Sequence, residues 1–280
     1  MLPEKVQDQA IAVIGGNVSS ATDPMDVYRD FMAVPEVLET KWRALQLDMF
    51  NGGVKQPRLA VTELQMFAHL EAASDKSLPV RLTRENMVNP GTHAEALYDI
   101  LIYHAAIRLA PFVDMITHSA TVNHGGGLRK EQEQVFANPC YFAQAAFAAF
   151  SQATPVNVEI KTPMIAAPMV LPELRNASRG CSYGSVDALA ALAPDGSLLL
   201  SIVYRGSDQP MHLDISLKDF KGAHKAEITT LTADAPWSAN SRKAPDKVKP
   251  AESTVGIAND HFSLELLPFS VLRIRVLSHH

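Results

Sequence analysis

From Ile11 to about residue 153, short apolar runs alternate with stretches whose apolar residues recur every three or four positions. Ile11-Ala12-Val13-Ile14 reads as a buried strand running into Gly15-Gly16-Asn17. Asp23-Pro24 opens a helix, with Asp23 as N-cap and Pro24 at the first helical position. Pro35 breaks that helix or starts another. The next helical face carries Leu38, Trp42, Leu45 and Met49, at spacings of four, three and four, and stops at Asn51-Gly52-Gly53. Arg58-Leu59-Ala60-Val61-Thr62-Glu63-Leu64 is a second strand with an acid at its C-terminal end. The connection over residues 65–91 has the length of functional loops and lids. Thr92-His93-Ala94-Glu95 fits a capping box and opens a helix through Leu97, Leu101, His104 and Ile107. Residues 112–122 form a third strand, and Asn138-Pro139 introduces a helix over 141–150. Three strands are thus each followed by a helix.

At Thr154-Pro155 the period changes to two. Candidate strands are 156–161, 187–192, 198–204, 212–217, 227–231, 255–257, 261–266 and 271–276, with a hairpin-type turn at Pro194-Asp195-Gly196-Ser197. Many short strands with turn signals and little helix predict a β-sandwich. Residues 236–252 are polar and proline-bearing and read as a loop. The pattern divides the chain into an α/β part, 1–154, and an all-β part, 155–280.

Composition narrows the function classes. The 280 residues are 47% hydrophobic and 20% charged with a net charge of -5, so nothing suggests an electrostatic grip on nucleic acid or an anionic membrane. No apolar run reaches the roughly 20 residues of a membrane span. The first nine residues lack a signal-peptide layout, which leaves the compartment open and tilts it toward the cytoplasm. Cys140 and Cys181 make neither a disulfide framework nor a metal site by spacing and read as small buried hydrophobes.

Among candidate chemical groups, Glu63 leads. A buried strand that delivers an acid at its C-terminal end is how a (β/α) barrel presents catalytic residues. His118 and His124, six apart, flank the end of the third strand, but a metal site would need a third ligand. Gly125-Gly126-Gly127 reads as a flexible loop, since phosphate-cradle spacing is absent. Arg81, Arg84, Glu71 and Glu85 lie in the long connection and read as solvated; Met66, Phe67 and His69 line a subsite or simply pack. Trp42 belongs to an apolar helix face, whereas Trp237 sits in the polar loop. Without a Gly-x-Ser-x-Gly elbow around Ser19, Ser20 or Ser119, a serine hydrolase is not supported.

Leu59-Ala60-Val61-Thr62-Glu63 resembles the nucleophile strand of the family 51 glycoside hydrolases, the α-L-arabinofuranosidases. Phe31-Met32-Ala33-Val34-Pro35-Glu36-Val37-Leu38-Glu39 resembles the segment between that family's sixth and seventh barrel strands. Val113-Asp114-Met115 through Val122-Asn123 resembles the eighth strand, and Ala137-Asn138-Pro139-Cys140-Tyr141-Phe142 the start of the eighth helix. Ser238-Ala239-Asn240-Ser241 with Pro245-Asp246-Lys247-Val248 is similar to a sandwich loop of the family, and Leu267-Pro268-Phe269-Ser270-Val271 to its closing strand.

The resemblance implies the last three units of a (β/α)8 TIM barrel followed by a C-terminal β-sandwich. It implies retaining release of terminal arabinofuranosyl groups from plant polysaccharides, with Glu63 as nucleophile and Asn17, Asn123 and His124 as substrate-binding residues. No cofactor and no metal are implied; the partner is an arabinose-containing oligo- or polysaccharide, and the full-length form is a homo-oligomer. The family's acid/base lies in an Asn-Glu pair on the fourth strand, and this sequence contains no such dipeptide. The matching begins near strand six, so the chain reads as a fragment of weak or no activity. The alternative is a non-catalytic carbohydrate-binding or scaffold sandwich. An open set of three βα units would expose sheet edges and leave the chain marginally stable, oligomeric or aggregated.

Overall fold

The computed structural model describes residues 16–120, 122–123, 126–206 and 209–278. Strand residues outnumber helical ones, and the two kinds are unevenly spread along the chain. The expected first strand at Ile11-Ala12-Val13-Ile14 lies outside the described residues; the first described strand is β1, Asn17–Ser19.

Helix α1, Pro24–Asn51, begins as its sequence predicts, with Asp23 accepting from the Met25 N–H at 2.8 Å and Pro24 in the first turn. Such a cap contributes about 1 kcal/mol. Leu38, Trp42, Leu45 and Met49 are all buried on one face. The expected interruption at Pro35 does not occur, and the helix runs through it for 28 residues. An interior proline costs about 3 kcal/mol, and here burial of Phe31, Met32, Ala33, Val34, Val37 and Leu38 around it offsets that cost. The first half of α1 is enclosed because Asp30 accepts the N–H groups of Met169 (2.8 Å) and Leu171 (2.7 Å), while Arg205 reaches the Met32 carbonyl (3.1 Å) and Glu36 (2.7 Å).

Strand β2, Leu59–Leu64, leads to the short β3, His69–Glu71, and then to helix α2, His93–Arg108. The predicted capping box is not formed. Thr92 turns its hydroxyl to the Asn89 carbonyl (2.7 Å), and Glu95 reaches the Gly91 N–H (2.7 Å), one residue earlier than the box requires. Helix α2 is buried over nearly its whole length because it touches α1, the strand β4 (Val113–His118), the helix α3 (Pro139–Phe147) and the large sheet behind it. The glycine triplet does not simply lead into open loop: β5, Leu128–Glu131, and β6, Gln134–Ala137, form a hairpin after it.

The strands of this part pair in parallel, β1 with β3 and β2 with β4. Among the described residues they remain two separate pairs, not one continuous three-stranded sheet. Both share a layer, since Val18, Leu59, Leu64, Val61, Leu70 and Ile116 pack into the apolar cluster of α1 and α2.

The rest is antiparallel. After β7 (Thr154–Val156) come β8 (Met164–Ala166), the short helix α4 (Pro172–Ala177), β9 (Ser182–Gly184), β10 (Val186–Leu192) and β11 (Leu198–Tyr204). They are followed by β12 (Met211–Ser216), β13 (Ala223–Leu231), β14 (Ala251–Gly256), β15 (His261–Leu266) and β16 (Ser270–Ser278). Six of these form one sheet in the order β14-β13-β16-β11-β10-β7, and the β12–β15 pair closes over one face. Helices α2 and α3 lie on the other face. Every residue of β11 is therefore buried, which explains its unbroken apolar run, Leu198-Leu199-Leu200 to Val203. The predicted strand at 156–161 is corrected: β7 ends at Val156, and among the described residues 157–161 pair with no strand although Val158 and Ile160 keep the alternation.

Candidate active site

Glu63 stands near the C-terminal end of β2 and is exposed. Strict alternation would turn it to the same side as Leu59 and Val61, toward the helices. The register of β2 against β4 shifts between Val61 and Leu64. That irregularity returns Leu64 to the buried side and leaves Glu63 on the open side with Ala60 and Thr62. From β4, Met115 and Thr117 face outward with it, and the Thr117 hydroxyl donates to the Thr62 carbonyl. Among the described residues Glu63 has no hydrogen-bond or ion-pair partner.

Asn17 is exposed on β1, opposite His69 of β3, with Val18 turned inward between the exposed positions. Asn123 is exposed beyond β4 in a left-handed conformation, φ 63°. Its side-chain amide is engaged at both ends by Lys130, accepting from the backbone N–H (2.7 Å) and donating to the carbonyl (3.2 Å). A sugar contact by Asn123 would have to displace this pairing. His124 lies outside the described residues. Arg81 is not simply solvated but pairs with Asp23 at the start of α1. Met66 is core, whereas Phe67 and His69 stack edge to face at 4.6 Å. Among the described residues no three His, Cys, Asp or Glu side chains could hold a metal ion, and no helix is long and apolar enough to cross a membrane.

Two buried polar clusters flank α2, and sequence reasoning missed both. His118 does not share the open side with Glu63. Its Nε2 lies 3.4 Å from Glu95 Oε1 and 3.4 Å from Asp99 Oδ2, behind β4. Burial, with the charge of Glu95, pushes Asp99 up to about 8. Burial pulls His118 down, but the two carboxylates outweigh it and raise its pKa. The available signal was the spacing of Glu95 and Asp99, four apart and so on one helix face, with no basic residue alongside.

The second cluster is a line: Asp187 Oδ1 to His104 Nδ1 at 2.6 Å, then His104 Nε2 to Ser201 Oγ at 2.7 Å. The order is that of a hydrolase triad. Ser201, however, sits mid-strand in β11, 2% exposed, beside a cavity of about 10 Å³, room for a single water. No substrate reaches it, and the line pegs α2 to the sheet. Arg108 also holds Asp187, at 2.5 Å. Burial would push Asp187 up, but His104 and Arg108 overcome it and hold the carboxyl below the usual range. A larger hollow of about 370 Å³, lined by residues including Asp234, Ser238, Lys247 and Leu267, borders the sheet; no residue of β1–β4 lines it.

The family model described as the α-L-arabinofuranosidase C-terminal domain matches residues 72–270. No curated protein matches the chain. Solved structures similar in fold include the GH51 arabinofuranosidase from Xanthomonas axonopodis pv. citri, at TM-score 0.70 and 18% identity, covering 94% of this chain and 50% of that one. The thermostable GH51 α-L-arabinofuranosidase from Thermotoga petrophila RKU-1 gives 0.66 and 19%, covering 87% and 48%. The arabinose complex of the Thermotoga maritima α-L-arabinofuranosidase gives 0.63 and 17%, covering 94% and 52%. The chain thus spans about half the length of these enzymes. With a match over most of its length, the chain belongs to the family of the α-L-arabinofuranosidase C-terminal domain.

Proposed function

We propose that the chain is the C-terminal portion of a retaining α-L-arabinofuranosidase, with Glu63 as its nucleophile. Residues 1–154 would hold the last three units of a (β/α)8 barrel, β1–α1, β2–α2 and β4–α3, and residues 155–280 the supporting sandwich. The observation that carries this reading is the position of Glu63: the C-terminal end of a parallel strand, on the side away from the helices. Inward-facing residues at that end are where barrels of this kind do their chemistry. Exposed apolar side chains such as Met115, Val158, Ile160 and Met164 support it further, as surface that the remaining half would cover.

In this reading Glu63 attacks the anomeric carbon as the leaving oxygen takes a proton from a second carboxyl group, and water then releases arabinose from the glycosyl-enzyme. The two groups must stand roughly 5 Å apart, and the acid is carried outside this chain. The substrate is an arabinose-containing oligo- or polysaccharide, and the full-length form is a homo-oligomer. Loss of a general acid costs roughly 10² to 10⁴ in rate, so the chain alone turns over 4-nitrophenyl α-L-arabinofuranoside only weakly. Residual turnover that disappears in Glu63→Gln supports the role, and undiminished turnover overturns it. No turnover, with specific calorimetric binding of arabino-oligosaccharides, would favour a carbohydrate-binding module instead.

A further inference from the structure

His118 is the last residue of β4 and stands in register with Leu64, the residue after Glu63. The Ser119 N–H extends this pairing by donating to the Leu64 carbonyl at 3.1 Å. The His118 side chain is 10% exposed and turned toward the helices, with fully buried Glu95 and Asp99 each 3.4 Å from its Nε2. Gln144 of α3 bridges Asp99 Oδ2 (2.9 Å) and His118 Nδ1 (3.3 Å). Glu95 Oε1, Asp99 Oδ1 and His118 Nε2 are buried without a hydrogen bond of good geometry, so the cluster is joined by the Gln144 bridge and by the closeness of the two carboxyl groups to the His118 ring.

The same cluster receives the returning chain. Gly126 lies so close that a Cβ there would overlap the His118 ring and come within 2.6 Å of Cys140 Sγ. Gly127 donates its N–H to that sulfur at 3.0 Å, and its carbonyl accepts from the Asn138 N–H at 2.8 Å. Both ends of the connection after β4 are therefore fastened at His118, one by backbone continuity and one by contact.

We propose that His118 is a positioning residue: held between Glu95 and Asp99, it pins the start and end of the connection after β4, and the end of β2 with it, to helices α2 and α3. What this does for Glu63 rests on its reading as nucleophile, whereas the pinning does not. The titratable groups facing the cluster are Glu95, Tyr98, Asp99 and Tyr103 from α2, Cys140 from α3 and His118 itself. When Asp99 loses its proton near pH 8, one more negative charge is buried in the cluster and the pinning weakens.

The test is site-resolved amide exchange on the full chain, corrected for the intrinsic base-catalysed rate, at pH 6 and pH 9. The reporters are Ser119 and Gly127, with Ile202 and Ile274 in the large sheet as references. Exchange at the reporters should rise roughly tenfold or more from pH 6 to pH 9 while the references stay level. Asp99→Asn should flatten that rise, and His118→Leu should raise reporter exchange at both pH values. Reporters that do not respond to pH in the unsubstituted chain overturn the proposal, as does His118→Leu with unchanged protection. Should His118→Leu not fold, the pH series on the unsubstituted chain decides. Because exchange and not turnover is read, a chain without arabinofuranosidase activity that shows this pattern still supports the pinning.

Discussion

Helix α2 carries an aspartate at 99 and a histidine at 104, each buried and each paired with its complement from another element, yet the two pairs hold protons in opposite ways. At the β4 seam His118 meets two carboxylates and no arginine, so Asp99 is driven up to about 8. At the sheet seam Asp187 meets His104 and Arg108 together and is held below its ordinary range. Burial opposes ionisation in both places; the partners present decide the outcome. A deficit of positive charge makes the first seam proton-holding, whereas the His104 hydrogen bond and the Arg108 guanidinium make the second acid-resistant.

The sharpest way to break this contrast is to delete the well-served acid. Asp187→Ala leaves His104 without its carboxylate and Arg108 with Glu39 alone, and should cost roughly 3–5 kcal/mol, read as a lower urea midpoint at pH 7. The pH dependence of thermal unfolding comes next. Asp187 has a lowered folded pKa, so its contribution is present above about pH 4 and is lost as pH falls further. Asp99 is raised, so its contribution is complete below about pH 4 and is lost as pH climbs toward about 8. Stability should therefore decline between those limits, and Asp99→Asn should remove the decline. Ser201→Ala, which takes away the hydroxyl at His104 Nε2, should cost about 1 kcal/mol. The smallest effect belongs to Asp99→Asn at about pH 4, within about 1 kcal/mol of neutral because the aspartate is protonated in the fold there and the decline has not begun. If Asp99→Asn proves as damaging as Asp187→Ala at that pH, the two seams are alike after all.

Much of the frame was legible. The four-three-four spacing of Leu38, Trp42, Leu45 and Met49 marked the buried face of α1, and the apolar runs marked β2, β10 and β11. Where reading failed, a distant neighbour overrode a local signal. Pro35 should have ended a helix, but the surrounding burial carried it through. Residues 157–161 alternate like a strand, yet pairing needs a neighbour and none is described. The β5–β6 hairpin was hidden behind a glycine triplet whose Gly126 serves close approach to His118. Of the site, Glu63 was found from its strand, but its outward turn depends on a register shift that no periodicity reports. The seams of α2 were illegible for a simpler reason: His104 finds Asp187 and Ser201 83 and 97 residues away.

Among the described residues the parallel strands form two separate pairs, and this has a consequence for how copies of this chain meet. The two borders of a parallel pair differ, since one belongs to β2 and the other to β4. A copy that joined by strand addition would leave an unused border of each kind at the ends of the assembly. Growth of that sort has no natural stopping point, unlike a two-fold dimer, and yields filaments in place of particles of fixed size.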